Sequence, residues 1–151
     1  MDIRILNRKA FEKYGYVIEY DRENGHSFQV ILSEYNPVGW RIAVSKITGK
    51  STSKMARHPG TMESFEPLDG ITLLCVAPFE NPEDVEFFLL EKPVCIYRNI
   101  WHATLCLSEY SIVKITENCI VDSEEYLFAR EFSPVVQEIH NSMLRETDEN
   151  E

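Results

Sequence analysis

Short β-type runs, broken every few residues by turn signals, govern what this 151-residue chain can fold into. The runs are rich in β-branched and aromatic residues, and no helical periodicity interrupts them. They cover residues 16–20, 27–32, 40–47, 71–77, 86–90, 94–97, 104–107, 111–115 and 126–128. Turn residues separate them at 36–39, 48–50, 68–70, 81–84 and 117–118. Many short strands at even spacing predict an all-β sandwich or barrel, which leaves few sheet edges exposed.

A helix is predicted at each end of this β region. Asn7 can cap a short helix over 8–14, because its side chain accepts a backbone N–H that has no partner in the first turn. A second, amphipathic helix is predicted over 134–145, where apolar residues recur at helical spacing: Val135, Val136, Ile139, Met143 and Leu144. We expect that helix to pack on its own barrel or against a second copy of the chain.

The chain is therefore expected to form one β-barrel domain over 1–132. Residues 133–151 would add the C-terminal helix and an acidic tail, which are too short to make an independent domain.

The charge balance excludes one class of partner. There are 15 Lys and Arg residues against 25 Asp and Glu residues, and the net charge of -10 repels phosphate backbones, so nucleic acid is not expected to bind. No run reaches the ~18 apolar residues of a membrane span, and charges interrupt the start of the chain where a signal peptide needs its apolar centre. These features predict a cytoplasmic protein without membrane contact.

Cysteine usage points away from a metal or disulfide framework. The four cysteines are each expected in an apolar strand-like run, and no two have Cys-x-x-Cys spacing: Cys75, Cys95, Cys106 and Cys119. Buried free thiols that act as small hydrophobes are the expected role, with a zinc site or a disulfide framework as the alternative.

Two segments gather the side chains that a functional site needs. Residues 55–70 contain His58 and Glu63, and residues 97–102 end at His102. We expect the two segments to face one another inside the barrel. Taken alone, each histidine is more often a structural residue of the core than a ligand.

The spacing His-x4-Glu-x6-Gly, from His58 through Glu63 to Gly70, resembles the first motif of the cupin superfamily. In that motif a strand carries both side chains inward, and His102 corresponds to the histidine of the second motif. The resemblance implies a small jelly-roll barrel, also called a double-stranded β-helix. Two imidazoles and a carboxylate are a frequent ligand set for Zn, Fe, Mn or Ni, so a divalent metal is the one cofactor to consider.

Further motifs resemble the ureidoglycolate lyase family more closely. They are Arg-His-Pro at 57–59, Phe-x-Pro-Leu-x-Gly at 65–70, Val-Ala-Pro at 76–78 and Tyr-Arg-Asn-Ile-Trp-His at 97–102. With weaker agreement near the start, the resemblance spans about residues 10 to 117. It implies a cupin-fold homodimer that splits ureidoglycolate into glyoxylate and urea.

The resemblance also suggests roles for the charged residues. Such a reaction needs a base for the hydroxyl proton, an acid for the departing urea nitrogen and a cation for the carboxylate. His102 or His58 is the candidate base, and Glu63 or the other histidine is the candidate acid. Arg57 or Arg98 is the candidate carboxylate ligand.

The chain departs from the family pattern at three positions. Ala56 and Ala103 stand where the family usually has Glu and His, and Glu117 aligns where it has Arg. A glutamate facing the pocket would repel a substrate carboxylate, whereas a solvated strand position would make it neutral to function. Trp101 is expected in the pocket wall or the core.

Three functions therefore stay open. One is a lyase that acts on a small ureido- or hydroxy-acid. Another is a cupin that binds a small polar ligand or a metal without that reaction. The third is a dimeric cupin whose C-terminal helix forms an interaction surface.

Overall fold

Eleven strands and one short helix occupy the described part of the chain, residues 2–134 of the computed structural model. In chain order the elements are β1 (Ile3–Arg4), α1 (Arg8–Phe11), β2 (Gly15–Val17), β3 (Trp40–Ile47), β4 (Thr52–Arg57), β5 (Glu63–Asp69), β6 (Thr72–Ala77), β7 (Glu86–Leu89), β8 (Val94–Ile96), β9 (Trp101–Cys106), β10 (Ser111–Asn118) and β11 (Glu124–Phe132). The helix begins at the predicted place because the Asn7 side chain accepts the Ala10 backbone N–H.

The strands form two sheets. The six-stranded sheet has the order β1-β7-β6-β9-β4-β11, and the five-stranded sheet has the order β2-β8-β5-β10-β3. Pairing is antiparallel except between β1 and β7, which run parallel. The predicted all-β jelly-roll barrel is confirmed by this arrangement. No helix in residues 2–134 is long and apolar enough to cross a membrane.

Strand alternation divides the apolar residues into two clusters. One cluster takes residues from both sheets, such as Phe65 and Val113 from one and Leu74 and Val76 from the other, so it is the core between the sheets. The second cluster takes the alternate positions of the six-stranded sheet, and Trp101 belongs to it. Side chains on the first face lie inside the barrel, whereas those on the second face lie outside it.

Register places one row of side chains across the inner face of the five-stranded sheet. Arg41 pairs with Glu117, Glu117 with Glu63, and Glu63 with Ile96. Residues directly opposite one another in antiparallel strands share a face, and Ile96 is part of the inner core. The row therefore brings two carboxylates and a guanidinium to the inside of the barrel.

Several local predictions are wrong. No strand forms over 27–32, where Phe28 and Val30 are 84% and 66% exposed, because β propensity without a neighbouring strand to pack on gives no sheet. His58 and Glu63 do not share a strand: His58 follows β4, and Glu63 begins β5. Cys119 is exposed, since it lies just beyond β10, whereas the other three cysteines are buried free thiols.

The predicted C-terminal helix over 134–145 and the tail after it fall almost wholly outside the described residues. Their packing therefore stays a prediction.

Candidate functional site

Three side chains from separate parts of the chain meet inside the barrel. The Nε2 atom of His58 lies 2.9 Å from Oε2 of Glu63, and Nε2 of His102 lies 3.1 Å from the same oxygen. The two imidazole ring centres are 4.9 Å apart, and all three side chains are at most 12% exposed. We call His58, Glu63 and His102 the triad.

Backbone carbonyls fix the orientation of both imidazoles. Nδ1 of His58 lies 3.0 Å from the Asp122 carbonyl oxygen, and Nδ1 of His102 lies 3.0 Å from the Ile100 carbonyl oxygen. A carbonyl oxygen only accepts, so both Nδ1 atoms carry a proton and donate it. Ser123 Oγ lies 2.8 Å from the same Nδ1 of His58. Both Nε2 atoms are consequently left to interact with Glu63.

The meeting point of the triad requires positive charge. Both Nε2 atoms lie within 3.1 Å of the buried Oε2 atom of Glu63, yet that oxygen has no hydrogen-bond partner among the described residues. Two Nε2 lone pairs and a carboxylate oxygen within this distance repel one another unless a proton or a metal cation lies between them. Among the described residues, the triad is the one group of three or more His, Cys, Asp or Glu side chains that could hold a metal ion, and its ligand atoms all lie within 4.8 Å of one another.

Charge within the triad also shifts its pKa values. Burial by itself would raise the pKa of Glu63, but the contacts and charge of His102 and His58 outweigh it and hold that pKa at about 2. Burial opposes the charged form of His58, yet the Glu63 carboxylate outweighs burial and raises the pKa of His58 above its usual 6.5. These shifts favour the ionised form of Glu63 and, relative to a free imidazole, the charged form of His58.

The two segments singled out in the sequence do face one another. Ala56 pairs with His102 across β4 and β9, and the Asn99 backbone N–H donates to the His58 carbonyl at 3.1 Å. Asn99 has a positive φ of 69°, a conformation that asparagine tolerates better than most residues. The turn leads into β9, whose second residue, His102, lies on the inner face.

Arg57 and Trp101 lie on the other face of the six-stranded sheet. The Arg57 guanidinium pairs with Glu124 and stacks over the rings of Phe79 and Trp101, at 4.8 and 5.3 Å from their centres. Trp101 packs in the outer cluster and donates its indole N–H to the Phe79 carbonyl at 3.1 Å. The structure does not bring either side chain to the triad.

Arg98 lies in the turn between β8 and β9 and is held there by two contacts. Its guanidinium pairs with Glu34 and donates from Nε to the Gly60 carbonyl at 3.3 Å. These contacts explain its orientation without a bound ligand.

Glu117 does lie beside the triad. It stands directly opposite Glu63, its side chain is only 8% exposed, and its charge contributes to the raised pKa of His58. Arg41 donates to it from Nε at 3.2 Å and from Nη2 at 2.9 Å. Glu117 also lines a cleft of about 580 Å³, whose other lining residues include Glu34, Met62 and Cys95. A larger cleft, of about 650 Å³, lies against α1, and none of the triad residues lines either cleft.

Sequence reasoning missed the residues that support the triad. Asp122 and Ile100 act through their carbonyls, which any residue type could supply, so no side-chain signal exists for them. The sequence indicates Arg41 only weakly. Strand alternation in 40–47 places Arg41 on one face of the strand and Trp40, Ile42 and Val44 on the other, and that apolar set would ordinarily be assigned to the core.

Comparison with known proteins gives relatives by sequence. Two curated proteins named ureidoglycolate lyase, from two strains of Rhizobium etli (CIAT 652 and CFN 42), are each 30% identical over 125 aligned positions. Each alignment covers 70% of this chain and 75% of the relative. No family model matches the chain.

Solved structures resemble the fold more remotely. A mutant of Bacillus subtilis oxalate decarboxylase matches 59% of this chain and 24% of its own, with a TM-score of 0.42 and 12% identity. A dTDP sugar isomerase from Desulfovibrio desulfuricans matches 80% of this chain and 81% of its own, with a TM-score of 0.44 and 10% identity.

Proposed function

The chain belongs to the ureidoglycolate lyase family, and we propose that it splits a small ureido- or hydroxy-acid of the ureidoglycolate kind at the triad. The observation that carries the proposal is the convergence of Nε2 of His58, Nε2 of His102 and Oε2 of Glu63 on one buried point. Family membership supplies the reaction class, and the triad supplies groups that can move the protons of that reaction.

Cleavage of ureidoglycolate is an elimination in which two protons change place. The hydroxyl proton leaves as the C–O bond becomes the carbonyl of glyoxylate. The C–N bond breaks, its electron pair goes to the urea nitrogen, and that nitrogen takes up a proton. No oxidant or water is consumed, so one base and one acid are sufficient.

The charge state of the triad assigns these roles. Glu63, with a pKa of about 2, is ionised near neutral pH and is a poor acid, so its role is to stabilise an imidazolium. The raised pKa of His58 suits the acid that protonates urea, which leaves His102 as the base for the hydroxyl proton. In both histidines the reacting atom is Nε2, since Nδ1 is engaged by a backbone carbonyl.

The same three atoms also fit a divalent metal. The orphaned Oε2 of Glu63 and two imidazoles secured through Nδ1 are the donor set and the supporting contacts that Zn, Mn, Ni or Fe sites use. When bound, such a metal would supply Lewis-acid stabilisation of a substrate oxygen. His58, Glu63 and His102 would then act as ligands, and the Nε2 atoms of the two histidines would not carry protons.

Product formation by purified protein tests the lyase proposal. Wild type, with and without chelator treatment and reloading with each metal, should release glyoxylate and urea in equal amounts. His102→Ala should lower the rate by about 10²–10⁴-fold, the usual cost of losing a general acid or base. His26→Ala is the matched control, because the described hydrogen bonds of His26 use only its backbone. Activity that survives chelation assigns proton transfer to the imidazoles, and activity that requires metal makes them ligands.

Absence of products from every wild-type preparation, or full activity in His102→Ala, would contradict the lyase proposal. The second candidate, a cupin that binds a polar ligand without the reaction, would then take its place. One observation favours that candidate: Glu117 faces inward, where a carboxylate substrate would meet negative charge.

A further inference from the structure

The inner face of the barrel holds a second charged group next to the triad. Arg41 and Glu117 form an ion pair in the same row of side chains as Glu63. Adjacent strands are ~4.8 Å apart, so the backbone of Arg41 lies about 10 Å from that of Glu63. Nε and Nη2 of Arg41 reach back to Glu117, the neighbour of Glu63 in the row. An anion held by Arg41 would therefore lie within two strand spacings of Glu63.

Electrostatics explains why the pair exists. Glu63 and Glu117 are directly opposite one another, and two like charges in that position destabilise a sheet. Arg41 offsets the second charge without contacting the first. Arg41 therefore keeps a positive charge on the inner face, next to the Glu117 side chain, which faces inward and is almost buried.

Solvent reaches this cation from one side. The Arg41 side chain is 50% exposed, and Ala43, the next inward position of β3, is exposed as well. The inner face is therefore open along this edge of the five-stranded sheet. The described contacts of Arg41 use Nε and Nη2, and they leave Nη1 available to a ligand.

The other predicted carboxylate ligands are less suited to this role. Arg57 lies on the outer face with Trp101, and Arg98 is tied to Glu34 and the Gly60 carbonyl. Arg41 is the guanidinium that shares a face and a row with Glu63.

We propose that Arg41 recognises the carboxylate of the ligand and that Glu117 competes with that carboxylate for the guanidinium. The inference rests on the proposed function and names its ligand class, small 2-hydroxy or 2-ureido carboxylates. Guanidinium–carboxylate pairing is favourable in energy and specific in geometry. A ligand must displace Glu117 from the Arg41 guanidinium in order to bind there. A ligand that also contacts the triad gains enough binding energy to do so, whereas a simple anion does not and is held weakly.

Binding of glycolate and its neutral analogue glycolamide tests the inference without turnover. Wild type should bind glycolate more tightly than glycolamide in calorimetry. Arg41→Gln should weaken glycolate binding by about 10- to 100-fold, the equivalent of one charge-assisted hydrogen bond, and leave glycolamide unchanged. Arg41→Lys keeps the charge without the planar fork and should give an intermediate loss. Arg130→Gln, an exposed position on β11, is the matched control and should bind glycolate as wild type does.

Glu117→Gln provides a result that a purely structural role would not produce. Removal of the competing carboxylate should tighten glycolate binding several-fold, opposite in sign to the effect of Arg41→Gln. Circular dichroism of each variant checks that the barrel is folded.

Equal glycolate affinity in wild type and Arg41→Gln would overturn the inference, as would weaker binding in Glu117→Gln or no preference of wild type for glycolate over glycolamide. If wild type makes no urea but binds glycolate in a manner that depends on Arg41, the inference is supported and the lyase proposal fails. If wild type is active but its glycolate affinity and KM are unchanged in Arg41→Gln, the lyase proposal is supported and the inference fails.

Discussion

Two backbone carbonyls determine which nitrogen of each triad histidine faces Glu63. By accepting from Nδ1 of His58 and of His102, the Asp122 and Ile100 carbonyls direct both Nε2 atoms at Glu63. The spacing in the sequence was sufficient to predict the three side chains, because cupin-type motifs specify residue types. The tautomers could not be predicted, since they depend on carbonyls that every residue carries.

The shifted pKa values predict how pH affects stability of the metal-free protein. Glu63 has a lowered pKa, so its stabilising contribution is present above its ordinary value of 4.5 and is lost as pH falls toward 2. His58 has a raised pKa, so its contribution is complete below 6.5 and is lost as pH rises through its folded value. The triad should therefore stabilise the fold most between about pH 4.5 and 6.5.

Urea denaturation of wild type and Glu63→Gln across this range checks the prediction. The difference in their free energies of unfolding should peak between pH 4.5 and 6.5 and shrink on both sides. A difference that is constant with pH, or largest at alkaline pH, would contradict the assigned charges.

At the scale of elements, β3 shows where sequence patterns mislead. The strand was predicted with its correct bounds, but its apolar positions face outward: Trp40, Ile42 and Val44 are 71%, 53% and 65% exposed. The inward positions include Arg41 and the exposed Ala43. Periodicity identifies a strand and its two faces, and only the neighbouring sheet determines which face is buried. The same reason explains the missing strand at 27–32.

The exposed apolar face of β3 predicts self-association. β3 is the outermost strand of its sheet, with one edge of backbone N–H and C=O groups unpaired in the described structure. The apolar strip lies on the outer face of this strand and suits a second copy packed face to face about a two-fold axis, which leaves the inner face at Arg41 open. We expect a homodimer, and Ile42→Lys should convert it to a monomer by placing charge in the contact. Lys46→Gln on the same face is the control.

Sedimentation of the full chain measures this directly. A wild-type monomer, or a dimer unaffected by Ile42→Lys, would reject β3 as the interface. A dimer that survives Ile42→Lys but disappears in a chain ending at Phe132 would assign the interface to the C-terminal residues instead.

Considered as a whole molecule, the barrel keeps the candidate site on the inner faces of its two sheets. The triad and the Arg41–Glu117 pair lie inside, whereas Arg57 and Trp101 stabilise the outer cluster. Sequence motifs predicted the fold class and the triad, because those depend on residue types at fixed spacing. They could not separate inner from outer arginines, since that distinction depends on strand register and on which sheet each strand joins.

The most direct test of the central claim is the rate of urea release from ureidoglycolate by wild type and Glu63→Gln. The substitution keeps the size of the side chain and removes the charge that stabilises an imidazolium or holds a metal. We predict a loss of at least about 10²-fold in Glu63→Gln, with the fold retained. Equal rates in the two proteins would contradict it, because the reacting centre would then lie outside the triad.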